Sequence, residues 1–324
     1  MFDEIVRDVR PELSHMYALM DETLSSRVPL ANQVVDYFRD RKGKGVRPLM
    51  TLLAAKLVAG RVTDASYDGA VALELVHNAS LMHDDVVDES DRRRGASTIN
   101  CQWGNKVAVL MGDYFLSKSL LRIHASGSLD VLNVLAEMVT RLSEGELAQL
   151  SGAHARTIDE AAYFRIIADK TASMFAACMK IGALSVGAIP TEVCTLTEIG
   201  EEMGLIFQMR DDLFDYLPSA EMGKPSGHDI REGKVTLPLI YAFRTADAAI
   251  GEPMLHLLDA SDSLTDQQVA TLVDFSVSTG GIDYTRNLMQ QKADSVRARL
   301  NTFPDSEPKQ ALLLLVDYFM QRRS

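Results

Sequence analysis

Residues 71–88 read VALELVHNASLMHDDVVD. Apolar side chains recur there every three or four positions, which is the period of a helix with a buried face. Residues 132–150, LNVLAEMVTRLSEGELAQL, repeat the pattern. Residues 172–188, ASMFAACMKIGALSVGA, are apolar nearly all round, as in a helix enclosed by other helices. Working outward, the same period predicts helices over roughly 2–24, 28–39, 46–60, 64–88, 103–122, 128–150, 159–186, 192–216, 233–248, 265–279, 281–301 and 307–322. Alternating patterns bounded by turn residues are scarce, so strands are not expected to matter. Most of the 10 prolines fall between these segments. No linker tract and no repeat of fixed period interrupts them. The expectation is an all-α helical bundle forming one domain over residues 1–324.

Composition narrows the function. The 324 residues carry 33 Lys+Arg against 45 Asp+Glu, a formal net charge of −12. Such a chain is poorly suited to holding nucleic acid by its phosphates. Binding of small phosphates would need metal cations or a local basic cluster. Cys101, Cys178 and Cys194 are odd in number and unpaired in spacing, which argues against a disulfide framework and for a reducing, cytoplasmic setting. The first residues, MFDEIVRDVR, lack the basic start and apolar run of a secretory signal. No uncharged apolar stretch approaches the length of about 18 residues that would cross a membrane.

The acids are placed oddly. Asp84, Asp85 and Asp88 close one predicted helix, and Asp211, Asp212 and Asp215, in FQMRDDLFDY, close another. A helix C-terminus carries partial negative charge, so carboxylates are disfavoured there. Residues four apart share a face, so Asp84 faces Asp88 and Asp211 faces Asp215. One such pair is ordinarily a solvated helix end. Two copies inside apolar helices point instead to hard divalent cations, magnesium above all, shared with phosphate oxygens. Bases accompany the acids: Lys42, Lys44 and Arg47 in KGKGVRP, His77, Arg92-Arg93-Arg94, Lys170-Thr171, Lys224 and Lys234. Each alone reads as a surface charge. Together they suit phosphate, Arg by its planar fork and Lys as a point charge.

In order along the chain, GKGVRP, ELVHNASLMHDDVVDESDRRRG, GNKVAVLMGDY, DKTASM, GLIFQMRDDLFDY and GKPSGHDIREGKVTLPL resemble the trans-isoprenyl diphosphate synthases, the polyprenyl synthetase family, and most of all its long-chain octaprenyl members. The match runs from about residue 42 to 240. The resemblance implies about ten core helices round a central cavity, usually in a homodimer. It implies a magnesium-dependent prenyltransferase that condenses isopentenyl diphosphate with an allylic diphosphate and hands its product on to membrane enzymes. Residue by residue, it implies that Asp84 and Asp88 hold two magnesium ions and that Asp211 helps hold a third. Asp85, Asp212 and Asp215 would support them. Arg93, Lys170 and Lys224 would bind the allylic diphosphate, and Lys44, Arg47, His77 and Arg94 isopentenyl diphosphate. Lys170, Thr171, Gln208 and Lys234 would line the reacting centre. One departure stands out. The family's first motif starts Gly-Gly-Lys-Arg, whereas Lys42 and Gly45 replace its first Gly and its Arg here.

Product length has its own signal. Ala79, Val76, Ala72 and Gly69 form a stripe of small or modest side chains reaching about 22 Å along the helix below Asp84. Such a stripe fits close helix packing or the wall of a tunnel. In the resembling family a bulky aromatic four or five residues before the first Asp stops short-chain products. Ser80 and Ala79 occupy those positions, which implies a chain of about 35 to 45 carbons. The rival readings are a short-chain farnesyl or geranylgeranyl synthase, a terpene cyclase and a non-catalytic synthase subunit. A cyclase would carry an Asn/Ser/Glu triad in place of Asp211, Asp212 and Asp215, and a non-catalytic subunit tends to lose an aspartate motif.

Overall fold

The computed structural model describes all residues except 40–42, 94, 156–157, 218–226, 260–263 and 323–324. Helices dominate. In chain order they are α1 (Phe2–Ile5), α2 (Arg10–Thr23), α3 (Pro29–Arg39), α4 (Val46–Ala59), α5 (Asp64–Val87), α6 (Ile99–Trp103), α7 (Asn105–Ser126) and α8 (Leu129–Ala155). Then follow α9 (Glu160–Ile167), α10 (Ser173–Leu184), α11 (Pro190–Phe214), α12 (His228–Arg231), α13 (Leu237–Thr245), α14 (Ala248–Asp259), α15 (Asp266–Ser278), α16 (Gly281–Leu300) and α17 (Glu307–Gln321). Among the described residues the only strands are β1 (Arg92–Arg93) and β2 (Ala96–Ser97), an antiparallel pair directly after the first acidic cluster.

The all-α expectation holds, with local corrections. The predicted helix 2–24 is broken into α1, a 3₁₀ turn at Arg7–Val9 and α2. The predicted helix 233–248 starts four residues later, behind Thr236 in extended conformation, and stops at Ala246. Helix α14 went unpredicted: Ile250, Met254, Leu257 and Leu258 keep a helical period, but Gly251 and Pro253 within it read as breakers. The most consequential correction falls inside the predicted helix 159–186. A π-turn over Ala168–Ala172 separates α9 from α10. Such one-turn insertions gather at functional sites, and this one carries Lys170 and Thr171.

Packing explains how the π-turn is held. Helix α10 sits at the centre, buried from Ser173 to Met179, against α4, α11 and α8. Helix α5 packs on α7, α4 and α10. Two glycines bring neighbouring backbones onto the π-turn. A Cβ added at Gly145 of α8 would lie 2.6 Å from the Lys170 backbone nitrogen. One added at Gly204 of α11 would lie 2.5 Å from Ala172 Cα. Neither neighbour is a flexible side chain tip, so the backbone itself would have to move.

Gly145→Ala should therefore shift the segment that carries Lys170 and Thr171. Overpacking of this kind costs about 1–3 kcal/mol, which denaturant midpoints would read. Turnover should fall by more than the stability loss explains, because the displaced segment faces the cavity. A variant with unchanged stability and turnover would refute the clasp.

Candidate active site

Helix α5 starts from a capping box between Thr63 and Ser66, anchored to Ser185 beyond α10 through a 2.7 Å hydroxyl contact. Its far end is fully tied off. The Asp88 and Ser90 backbone N–H groups donate to the carbonyls of Asp84 and Asp85 at 2.8 and 2.9 Å. Asn100 Nδ2 donates to the carbonyls of Asp85 and Ser90, each at 3.1 Å. Glu89 takes the left-handed conformation that ends the helix, φ +49°. The three acids then diverge. Asp85 is buried and paired with Arg93 Nε at 2.8 Å. The side-chain carboxylates of Asp84 and Asp88 accept no hydrogen bond among the described residues. Burial first, then the Glu146 carboxylate, and Asp88 as well, push the Asp84 carboxyl up to about 6, although Lys170 and Arg93 act the other way. Glu146 in turn accepts from Lys170 Nζ at 2.8 Å.

The second cluster, at the end of α11, also divides. Asp212 Oδ2 accepts from Tyr163 Oη at 2.6 Å, and its Oδ1 from Gln208 Nε2 at 2.8 Å. Gln208 Oε1 accepts from Thr171 Oγ1 at 2.8 Å. Asp215 accepts the backbone N–H groups of His228 and Asp229 at 2.7 and 2.9 Å, tying down α12. Asp211 pairs with Arg322, just past α17. Burial raises the pKa of Asp211, Asp212 and Asp229 alike.

Two cavities meet at α11. The first, about 160 Å³, is lined by Tyr163, Lys170, Thr171, Gln208, Asp212 and Lys234, among others. Burial works against the Lys234 ammonium, but Glu232, Asp229 and Asp88 more than offset it and its pKa is raised. Asp88 is thus close enough to act on a residue of this cavity. The second cavity, about 440 Å³, gathers Lys44, Arg47, His77, Phe207, Tyr318 and Arg322. Its cations are held in place. Lys44 Nζ donates to Tyr318 Oη at 2.7 Å, and Arg47 lies 5.4 Å over the Phe175 ring. Arg322 stacks 3.7 Å from the Phe207 ring centroid and donates to the Phe207 carbonyl at 3.0 Å. The Arg210 guanidinium grips the Arg322 carbonyl with two hydrogen bonds, 3.0 and 2.9 Å. Arg322 Nε is buried with no partner among the described residues.

The structure therefore brings Lys44, Arg47 and His77 together, and separately Lys170, Thr171, Gln208 and Lys234. Arg93 stands beside the first acids. Lys42, Arg94 and Lys224 lie outside the described residues. Sequence reasoning missed Glu146, Tyr163, Arg210, Tyr318 and Arg322. Glu146 left a signal, an acid within the apolar period of α8; the others left none that spacing would reveal. The departure at position 45 gains a reason: Gly45 is left-handed at φ +63°, and a Cβ there would fall 2.1 Å from Tyr17 Oη. The stripe below Asp84 is buried throughout, and at Gly69 an added Cβ would lie 2.4 Å from Ile181 Cγ2. Packing on α10 accounts for that glycine.

A cation would suit Asp84, whose half-buried carboxyl has its pKa raised by burial and by the like charges of Glu146 and Asp88. No three His, Cys, Asp or Glu side chains converge among the described residues. A magnesium ion here would complete its shell with water and substrate oxygens, as this ion commonly does.

Comparisons with known proteins place the chain in a family. A model of the family described as polyprenyl synthetase matches residues 28–275. The octaprenyl diphosphate synthase of Escherichia coli K12 is 34% identical over 312 residues, 96% of each chain. A polyprenyl synthase from Caulobacter crescentus, solved with calcium and isoprenyl diphosphate, superposes with a TM-score of 0.91 at 33% identity, covering 100% of this chain and 98% of that one. A geranylgeranyl pyrophosphate synthase from Bacteroides thetaiotaomicron gives 0.84 at 35% identity, covering 99% of each.

Raising Asp84 from 3.8 to about 6 has a thermodynamic consequence. Across that pH window the unfolded chain has released a proton that the folded chain keeps, so stability falls as pH rises and the full cost stands above about 6. In chelator at pH 7.5, Asp84→Asn should be more stable than the parent by roughly 1–3 kcal/mol, narrowing toward zero near pH 4. Denaturant titrations at both pH values read this directly. Equal stability at pH 7.5 would remove the electrostatic cost assigned to Asp84.

Proposed function

The chain belongs to the polyprenyl synthetase family and is a trans-prenyl diphosphate synthase, a prenyltransferase; from that premise we propose that it builds a long all-trans chain, about 35 to 45 carbons, from isopentenyl diphosphate and an allylic diphosphate. The observation that carries the reading is the shared wall. On α11, Gln208 and Asp212 line the first cavity, whereas Phe207 lines the second and Asp211 reaches its Arg322. Two anionic substrates could thus occupy separate pockets with their reacting ends close. We assign the first cavity to the allylic diphosphate and the second to isopentenyl diphosphate.

Family members depend on metal, and three magnesium ions, held by Asp84, Asp88 and Asp211, would draw charge from the departing diphosphate. The protein's own residues do the rest. Lys170 and Lys234, with Lys224 and Arg93, hold the allylic diphosphate as its carbon–oxygen bond breaks and the electron pair leaves with it. Thr171 and Gln208 offer neutral dipoles to the allylic cation without trapping it. Lys44, Arg47, His77, Arg94 and Arg322 hold isopentenyl diphosphate, whose alkene electrons form the new carbon–carbon bond. The proton then lost passes to the departed diphosphate. For Asp211 to bind metal, Arg322 must first release it, freeing a guanidinium for the second cavity.

Long products are supported by Ala79 and Ser80, which present no ring beneath Asp84, and by the octaprenyl relative. The geranylgeranyl structure keeps a shorter product as the rival. Incubation with isopentenyl diphosphate, farnesyl diphosphate and magnesium, followed by product sizing, tests the assignment. Ladders ending near 35 to 45 carbons are expected; products ending at 20 or cyclised hydrocarbons would overturn it. Ala79→Tyr should stay folded and stop near 15 to 20 carbons, since position 79 lies about 7.5 Å below Asp84. A stable, active variant that still makes long chains would refute a tunnel past Ala79.

We also propose a homodimer of single-domain subunits. Helix α7 exposes one continuous stripe at Lys106, Val109, Leu110, Asp113, Ser117, Leu120, Leu121 and His124. Within it Val109, Leu110, Leu120 and Leu121 are exposed, Leu110 and Leu121 by 66% and 63%, a large apolar display for one face of a helix. Leu110→Glu combined with Leu121→Glu should halve the mass seen in sedimentation equilibrium. A mass of two chains for the double variant would place the interface elsewhere.

A further inference from the structure

Tyr163 stands in α9, outside every motif discussed above. It is 7% exposed and lines the first cavity. Its hydroxyl begins a chain of three hydrogen bonds that crosses three elements: Tyr163 to Asp212, Gln208 to Asp212, and Thr171 to Gln208. We propose that Tyr163 is a positioning residue, which acts through Asp212 and Gln208 to fix the direction in which Thr171 presents its oxygen. The inference rests on the assignment of Thr171 and Gln208 to the reacting centre.

The direction follows from counting donors. A side-chain amide has one acceptor end and one donor end. Both ends of Gln208 are engaged, its nitrogen toward Asp212 and its oxygen toward Thr171. A threonine hydroxyl has one hydrogen, and that of Thr171 is spent on Gln208. What Thr171 can turn toward the cavity is therefore lone pairs. That is the correct sign for a developing allylic cation. The reverse arrangement would aim a hydroxyl hydrogen there, with the Gln208 oxygen against a carboxylate oxygen of Asp212. The Asp212 carboxylate, which only accepts, selects between the two, and Tyr163 fixes how that carboxylate is turned. Donating to Oδ2 at 2.6 Å, it locks the Asp212 carboxylate so that Oδ1 faces Gln208. The Tyr163 ring is itself wedged edge-on against Phe164, with centroids 5.3 Å apart, so the phenol has little freedom to follow a rotating carboxylate. The reach of the effect is one dipole, not one charge, and it concerns the chemical step rather than the capture of either diphosphate.

Tyr163→Phe removes the hydroxyl and keeps the ring. Loss of a hydrogen bond to a charged group corresponds to about a ten- to hundredfold effect, expected here in kcat. The KM values of both diphosphates and the half-saturating magnesium concentration should stay within about twofold. Thr171→Val cuts the other end of the relay, and the double variant should be no slower than Thr171→Val alone. Additive losses in the double variant would overturn the inference. So would an unchanged kcat for Tyr163→Phe, or an effect confined to magnesium saturation, which would make Tyr163 a support for the metal carboxylates. If Tyr163→Phe proves misfolded by circular dichroism, Tyr163→Met serves as the relay cut. It must lower kcat with both KM values kept, and an additive loss with Thr171→Val again overturns the relay. A parent protein that elongates no allylic diphosphate at all would instead sink the functional assignment.

Discussion

Six carboxylates crowd the C-terminal ends of two buried helices, where the peptide dipoles already present negative charge. Much of the structure around them answers that problem. Asp85 has Arg93, Asp211 has Arg322, Asp212 has a phenol and an amide, and Asp215 has two backbone N–H groups. Asp84 and Asp88 have no such partner among the described residues. The division matters more than the number of acids. Removing one partner from a buried pair leaves a costly charge, so four acids are tied to protein partners, while Asp84 and Asp88 stand without one; on the proposed reading Asp211 would exchange Arg322 for metal.

The bases are restrained just as firmly. Lys170 is held by Glu146, Lys234 by Glu232, Lys44 by Tyr318 and Arg322 by Phe207 and Asp211. On the proposed assignment each would meet an incoming diphosphate as a charge already placed, some by exchanging a protein partner for the ligand. Preorganised charge of this sort stabilises a leaving group with little reorganisation at the moment of reaction. Placement comes from backbone as well as side chains. The π-turn turns Lys170 and Thr171 to the cavity, and Gly145 and Gly204 let α8 and α11 press on it from either side.

Much of this was legible in the sequence because it is local. Helical period, the acids at helix ends and the clustered bases all lie within a few turns of one another. The π-turn was not legible, since an inserted residue in an apolar run leaves the run apolar. Helix α14 was missed because Gly251 and Pro253 read as breakers inside its apolar period. Arg322 and Tyr163 were missed because their partners are remote: Arg322 and Phe207 are 115 residues apart, and Tyr163 and Asp212 are 49. The family pattern groups the aspartates as metal-associated. Only the folded chain separates those with protein partners from those without.

The same close packing constrains where a long product could lie. From Asp84 to Gly69 the α5 stripe runs about 22 Å, and Ile181 closes it at Gly69. Eight isoprene units extended end to end would need about 40 Å, by ordinary carbon geometry. A straight course down α5 is therefore too short for such a chain. On the long-chain reading the product must leave the stripe above Gly69. The softer side is the cluster that Ala79 shares with Met82, Met111 and Phe115 of α5 and α7. Methionine side chains are unbranched and adaptable, so that wall can yield more readily than the α10 wall, where the β-branched Ile181 sits against Gly69. Chain length would then be set less by the residue below the first aspartate than by how far the α5–α7 seam can open.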